Sequence, residues 1–142
     1  MPTSAYNKFN VVAQDILNGV HNFGSHTFKA LLTNTAPVAT NTIKANLTEI
    51  TTGNGYAAGG PTVPMAVSLA TATAKVTATD VTITASGGSI GPFRYVALYN
   101  DTQTSPAKPL VAWLDYGSSI TLGDGEAIVL DFDNTNGLFT QS

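Results

Sequence analysis

The sequence predicts an all-β fold: one antiparallel β-sandwich or jelly-roll-like domain of about eight strands, with one N-terminal α-helix. Three observations predict it. Apolar and polar residues alternate with a period of two in several short runs beyond residue 27. Turn residues (Gly, Pro, Asn) recur at short, regular spacing between those runs. The 142 residues are the length of one ordinary domain, spanning 1–142, and they contain no internal repeat.

The helix is expected over residues 4–19. Phe9, Val12, Ala13, Ile16, Leu17 and Val20 recur at three- and four-residue steps, with Ser4 as N-cap and Gly19 as stop. The period then changes to two. Phe28, Ala30 and Leu32 share one face of a strand, and Asn34–Asn41 is a connection. Ile43–Ile50 reads as a short helical turn around Leu47. From Thr51 to Pro64 the chain reads TTGNGYAAGGPTVP, a glycine- and proline-rich loop with no core of its own. A loop of that length in a compact domain is usually functional or packed on a partner. Strands follow at Met65–Leu69, Val81–Ala85, Phe93–Tyr99, Leu110–Tyr116, Ile120–Leu122, Glu126–Phe132 and Leu138–Thr140.

Composition narrows the function. Hydrophobic residues are 43% of the chain, but charged residues are only 11%, under half the usual share of about 25%. Thr, Ala, Asn and Gly fill the gap. Such a surface suits a protein packed against copies of something else, because burying a charge is expensive and burying Thr is not. The net charge is -3, and the six basic residues are scattered singly, so no nucleic-acid groove is expected. No apolar run reaches transmembrane length and no signal peptide is visible at the start, so a protein made in a cytoplasm, without a membrane partner, is expected. The absence of cysteine removes disulfides, thiolate metal sites and cysteine nucleophiles.

Arg94 is the only arginine, set between Phe93 and Tyr95 in an otherwise apolar strand. If Phe93–Tyr99 and Leu110–Tyr116 form a hairpin in which paired residue numbers sum to about 209, Arg94 lies opposite Asp115 and Val96 faces Trp113. A one-residue slip would separate the ion pair. The expected role of Arg94 and Asp115 is a structural ion pair, favoured over an anion anchor because an arginine among aliphatics needs a partner before a ligand. Both faces of this hairpin are apolar, so both are covered. One cover is the opposite sheet. The other is the N-terminal helix or another subunit.

No catalytic, cofactor or metal site is expected. His21 and His26 lack the carboxylates that would complete a metal site, and neither sits in a nucleophile–base signature. GNGYAAGG at Gly53–Gly60 has the wrong spacing for a phosphate cradle and reads as a flexible arm or turn. In DFDNTNG, at Asp131–Gly137, the glycine comes one place late for a calcium loop, and a strand end with a turn is the simpler reading. Asp115, Asp124, Glu126, Asp131 and Asp133 form the richest acidic set, but none shows the context of acid/base work.

Four phrases taken together carry a resemblance: YNKFNVVAQDILNGVHNFGSHTFKALLTNTAPVATNT, LTEITTGNGYAAGG, VTITASGGSIGPFRYVALYND and LVAWLDYGSSITLGDGE. In phrase order and turn glycines the chain, from Tyr6 to Phe139, resembles small virion structural proteins of tailed bacteriophages, of the capsid decoration or cement type. The resemblance implies a non-enzymatic protein located on the virion and acting as a homo-oligomer. Its implied partners are the major capsid protein or other virion subunits, and it implies no cofactor and no functional residue. A tail, neck or baseplate component stays open beside it. The first contact candidates are Tyr6, Phe9, Tyr56 in the glycine loop, and the exposed loop Asn100–Lys108. Two other classes compete. A carbohydrate- or host-surface-binding module would use Trp113 or Tyr116, and a small hydrolase would use the acidic strand ends.

Overall fold

The structure is a computed structural model that describes residues 6–133 and 135–141. It contains β1 (Asn7–Lys8), α1 (Val11–Leu17), β2 (Phe28–Thr33), β3 (Thr62–Val63), β4 (Met65–Ala70), β5 (Thr73–Ala78) and β6 (Val81–Thr84). These are followed by β7 (Ile90–Asn100), β8 (Leu110–Leu122), β9 (Ala127–Leu130) and β10 (Phe139–Gln141), and a 3-10 turn covers Lys44–Asn46. All described pairings are antiparallel. The largest sheet runs β1-β8-β7-β2-β3; a second runs β10-β5-β4, and β6 pairs with β9. The all-β class expected from the alternation is the class observed.

The five-stranded sheet has two apolar faces with different covers. Ala30, Leu32, Val96, Leu98, Ala112 and Leu114 lie on one face through the pairs Ala30↔Leu98, Leu32↔Val96, Leu98↔Ala112 and Val96↔Leu114. They pack against Val76 and Ala78 of β5, Ile83 of β6, and Ile128 and Leu130 of β9. Side chains from facing sheets thus share one sandwich-like core. On the other face Leu31, Ala97, Tyr99 and Leu110 form a second buried cluster with Phe9, Val11, Leu47 and Trp113. The chain therefore supplies its own second cover, from the N-terminal segment and from the stretch around Leu47, where the sequence left open the helix or another subunit.

Several sequence expectations are corrected. The helix begins at Val11, not residue 4. Ser4 lies outside the described residues, while Asn7 and Lys8 are extended and pair with Trp113 and Ala112 of β8. The hairpin register is one residue away from that expected: Tyr95↔Asp115, Val96↔Leu114 and Ala97↔Trp113. Trp113 therefore lies on the face opposite Val96 and packs on Phe9, with ring centroids 4.6 Å apart. The strands expected at Leu110–Tyr116 and Ile120–Leu122 are one strand, β8, interrupted by a bulge. Strands β1, β3 and β5 were not legible as strands.

Candidate functional site

The glycine loop is not a free arm. The Tyr56 ring is 2% exposed, inside the main core. Its hydroxyl accepts from the Leu32 backbone N–H (3.0 Å) and donates to Glu49 Oε1 (2.8 Å), an oxygen that also accepts from the Gly59 N–H. Burial pushes the Tyr56 hydroxyl far above its ordinary range. Tyr99, its hydroxyl also raised by burial, donates to the Gly59 carbonyl at 2.7 Å. At Gly60, φ is +80° and a Cβ would stand 1.7 Å from the Ala30 carbonyl oxygen, so only glycine allows the loop to lie this close to β2. Tyr56 is thus withdrawn as an interface candidate; it is the internal anchor of its loop.

Phe9 is withdrawn for the same reason. It is 1% exposed, packed under Trp113. Tyr6 is half-buried. Its ring stacks on Phe132 at 6.5 Å and its hydroxyl accepts from the Asp133 N–H at 2.7 Å, so it straps the N-terminal segment to the chain's last turn. Burial raises its hydroxyl too.

Arg94 and Asp115 meet in a fork, despite the changed register. Arg94 Nε lies 2.8 Å from Asp115 Oδ1, and Nη2 lies 3.1 Å from Oδ2. The reason is local. Between the pairs Phe93↔Ile120 and Tyr95↔Asp115, β8 carries four residues (116–119) where β7 carries only Arg94. Asp115 Oδ1 also accepts from the Gly117 N–H in that bulge, where Gly117 has φ +103°. The pair therefore fixes a bulge instead of the whole hairpin. The Arg94 guanidinium holds the Asp115 carboxyl below its ordinary range. Both side chains are over a third exposed.

The histidines cluster at the other end of β7. Asn100 Oδ1 accepts from the Thr102 and Gln103 N–H groups, which fixes the orientation of its amide. The NH₂ group then faces His26 Nδ1 at 2.9 Å and His21 Nδ1 at 3.2 Å. An amide NH₂ only donates, so both ring nitrogens accept. The His21 side chain is fully buried against Phe23 and Phe28, and its Nε2 lies 3.9 Å from Asp15 Oδ2. That distance is too long for a hydrogen bond, and neither atom has a described partner. Burial, aided by nearby His26, lowers the His21 imidazole to about 4. Burial also raises the Asp15 carboxyl. This is packing chemistry at a helix–strand junction. Among the described residues no group of three His, Asp or Glu side chains is placed to hold a metal.

The Asn100–Lys108 loop is exposed at Thr104–Ala107. Its base is held by Asp101, which pairs with Lys29 at 3.4 Å and with Lys108. The acidic residues stay apart in role: Asp133 caps the turn through the Thr135 and Asn136 N–H groups, and Asp124 accepts from the Gly87 N–H.

What the sequence did not single out is a set of exposed aliphatic side chains on α1 and β4. Leu17 at the end of α1 is 84% exposed, and Val67 and Leu69 of β4 are 50% and 73% exposed. Beneath Val67 lies a shallow cleft lined by Ile16, Phe23, Ala74, Val76 and Phe139. The alternation of Met65, Val67 and Leu69 signalled a strand, but not that this strand would stand clear of the core.

Comparison of the chain with protein-family models, with curated proteins and with solved structures found no match. No helix among the described residues is long and apolar enough to cross a membrane.

Proposed function

We propose that this protein is a non-enzymatic structural subunit of a tailed-phage virion, decorating and stabilising the capsid exterior as an oligomer. One observation carries the reading beyond the phrase-level resemblance. The polar side chains that stood as site candidates are engaged in holding loops, bulges and turns, whereas large aliphatic side chains stand exposed on α1 (Leu17) and on β4 (Val67 and Leu69). Contact with another macromolecule would cover these side chains. A capsid-stabilising subunit needs no reaction chemistry. It bridges neighbouring shell subunits, and each bridge adds binding free energy that opposes rupture. The implied partner is the major capsid protein or another virion subunit.

A second reading has a specific observation behind it. Tyr116 lines an open groove with Ile120, Leu122, Glu126 and Val129, where one aromatic ring and one carboxylate meet, as a glycan-binding module would require. Trp113, by contrast, is half-buried against Phe9 and offers no platform.

Co-sedimentation of the purified protein with mature and immature shells of its own phage tests the proposal. Saturable binding to the mature shell is expected. Binding to neither shell, together with retention on a glycan array that Tyr116→Ala abolishes, would replace it with the second reading.

A further inference from the structure

We infer that β4 is a self-association edge, on which a second copy of this chain adds its own β4 in antiparallel register. This deepens the proposed assembly role by naming its self-contact, and rests on that reading only for the expectation of an oligomer.

The edge comes first. β4 ends the β10-β5-β4 sheet, and among the described residues no strand pairs with its outer side. An unpaired strand edge presents a row of backbone donors and acceptors, and its complement is another strand. Folded proteins guard such edges with charges, prolines, bulges or short length. β4 has none of these guards. It is six residues long, MAVSLA, and pairs with β5 in unbroken register from Met65↔Ala78 to Ala70↔Thr73. No charged residue occurs between Thr62 and Ala74; Lys75, the β5 partner of Ser68, donates its ammonium to the Thr135 carbonyl at 2.9 Å. Ala66 through Ala70 are exposed on both faces.

The choice of a second copy over an unrelated strand follows from charge and symmetry. The whole chain carries a net charge of -3, so two copies repel weakly and associate best where neither brings a charge. β4 paired with itself buries none. A two-fold axis perpendicular to the sheet also keeps each copy's faces aligned. Opposed residues then share parity, because side chains alternate along a strand. With Ser68 on the axis, Val67 of one copy lies opposite Leu69 of the other, twice over. Ala66 lies opposite Ala70 on the reverse face, where small side chains leave room. The two exposed aliphatic side chains of β4 thereby become each other's cover, and the two three-stranded sheets join into one of six strands.

The chain lacks cysteine, so a single introduced thiol reports the register without interference. Opposed antiparallel residues stand about 4.5–5.5 Å apart at Cα, within the range of a disulfide. Ser68→Cys is therefore expected to crosslink to a dimer at least about tenfold faster than Val38→Cys, an exposed control outside β4. Leu69→Lys, at a 73% exposed position, is expected to keep the wild-type circular dichroism and to weaken association about a hundredfold, since each dimer loses two buried leucines. Equal crosslinking rates, or an intact Leu69→Lys variant that associates like wild type, would overturn the inference. So would capture of the edge by residues 1–5 of the same chain, seen as a wild-type monomer that dimerises once they are removed. Its failure is separable from failure of the virion reading. A wild-type monomer that still binds shells overturns the edge contact alone, whereas a Ser68-crosslinked dimer that binds no shell supports it and counts against decoration.

Discussion

Lowering the pH from 7 to 5 should destabilise the protein through His21. In the fold this imidazole accepts from Asn100, is buried among Phe23 and Phe28, and is lowered from its ordinary 6.5 to about 4. The unfolded chain therefore takes up the proton first as pH falls. A group whose folded value is depressed in this way, and whose neutral form is the one the fold prefers, contributes full stability above 6.5. That contribution drains away between 6.5 and 4. A displacement of about 2.5 pH units corresponds to about 3 kcal/mol at the acid end, of which about 2 kcal/mol is lost between pH 7 and pH 5. Asp15 acts in the opposite sense, since burial raises its carboxyl, so its contribution falls as pH rises. Working at pH 5, above the ordinary carboxylate value of 3.8, keeps most carboxylates out of the comparison. The assay is urea unfolding of wild type and His21→Phe at the two pH values. The wild-type midpoint should drop by about 1 M for a slope near 2 kcal/mol/M, and the variant midpoint should move much less. A variant with the same pH dependence as wild type would refute the assignment of the proton to His21.

Three further predictions follow from single contacts. Tyr56→Phe leaves the Leu32 N–H without its acceptor and removes one of the two donors to Glu49 Oε1, and should cost about 1–3 kcal/mol in chemical denaturation while making residues 51–64 more susceptible to limited proteolysis. Gly60→Ala forces a Cβ onto the Ala30 carbonyl at a left-handed backbone position, and should destabilise by at least about 3 kcal/mol, read as a loss of soluble, folded protein. Arg94→Ala should show only weak coupling to Asp115→Asn in a double-mutant cycle, and the coupling should shrink with added salt because both side chains are over a third exposed. Asp115 is held below its ordinary range, so its contribution is present above that range and is lost as pH falls through its folded value.

The class of the fold was legible because strand alternation is a local signal: Phe28, Ala30 and Leu32 point one way whatever they pack on. Register was not, because it depends on the bulge at residues 116–119, which apolar alternation on either side does not announce. The sequence extends the helix too early because Phe9 continues its apolar stripe and Ser4 offers a cap, while tertiary pairing of Asn7 and Lys8 with β8 draws that segment out into a strand. β5 was missed because TAKVTA carries only one large aliphatic residue, Val76, to mark its buried face. Among the candidate site residues, Arg94 and Asp115 are paired in sequence by a hairpin register that is one residue off, and their fork forms all the same because a long guanidinium side chain can reach across the bulge. Tyr56 was misread because its partners, Leu32 and Glu49, come from elsewhere in the chain. A tyrosine between glycines looks the same in sequence whether it points out or in.

Intact virions labelled with gold-conjugated antibody against this protein, viewed by electron microscopy, test the central claim most directly. Dense label distributed over the outside of the head is the predicted result. Label confined to the tail or neck, or no label on purified particles, would contradict it.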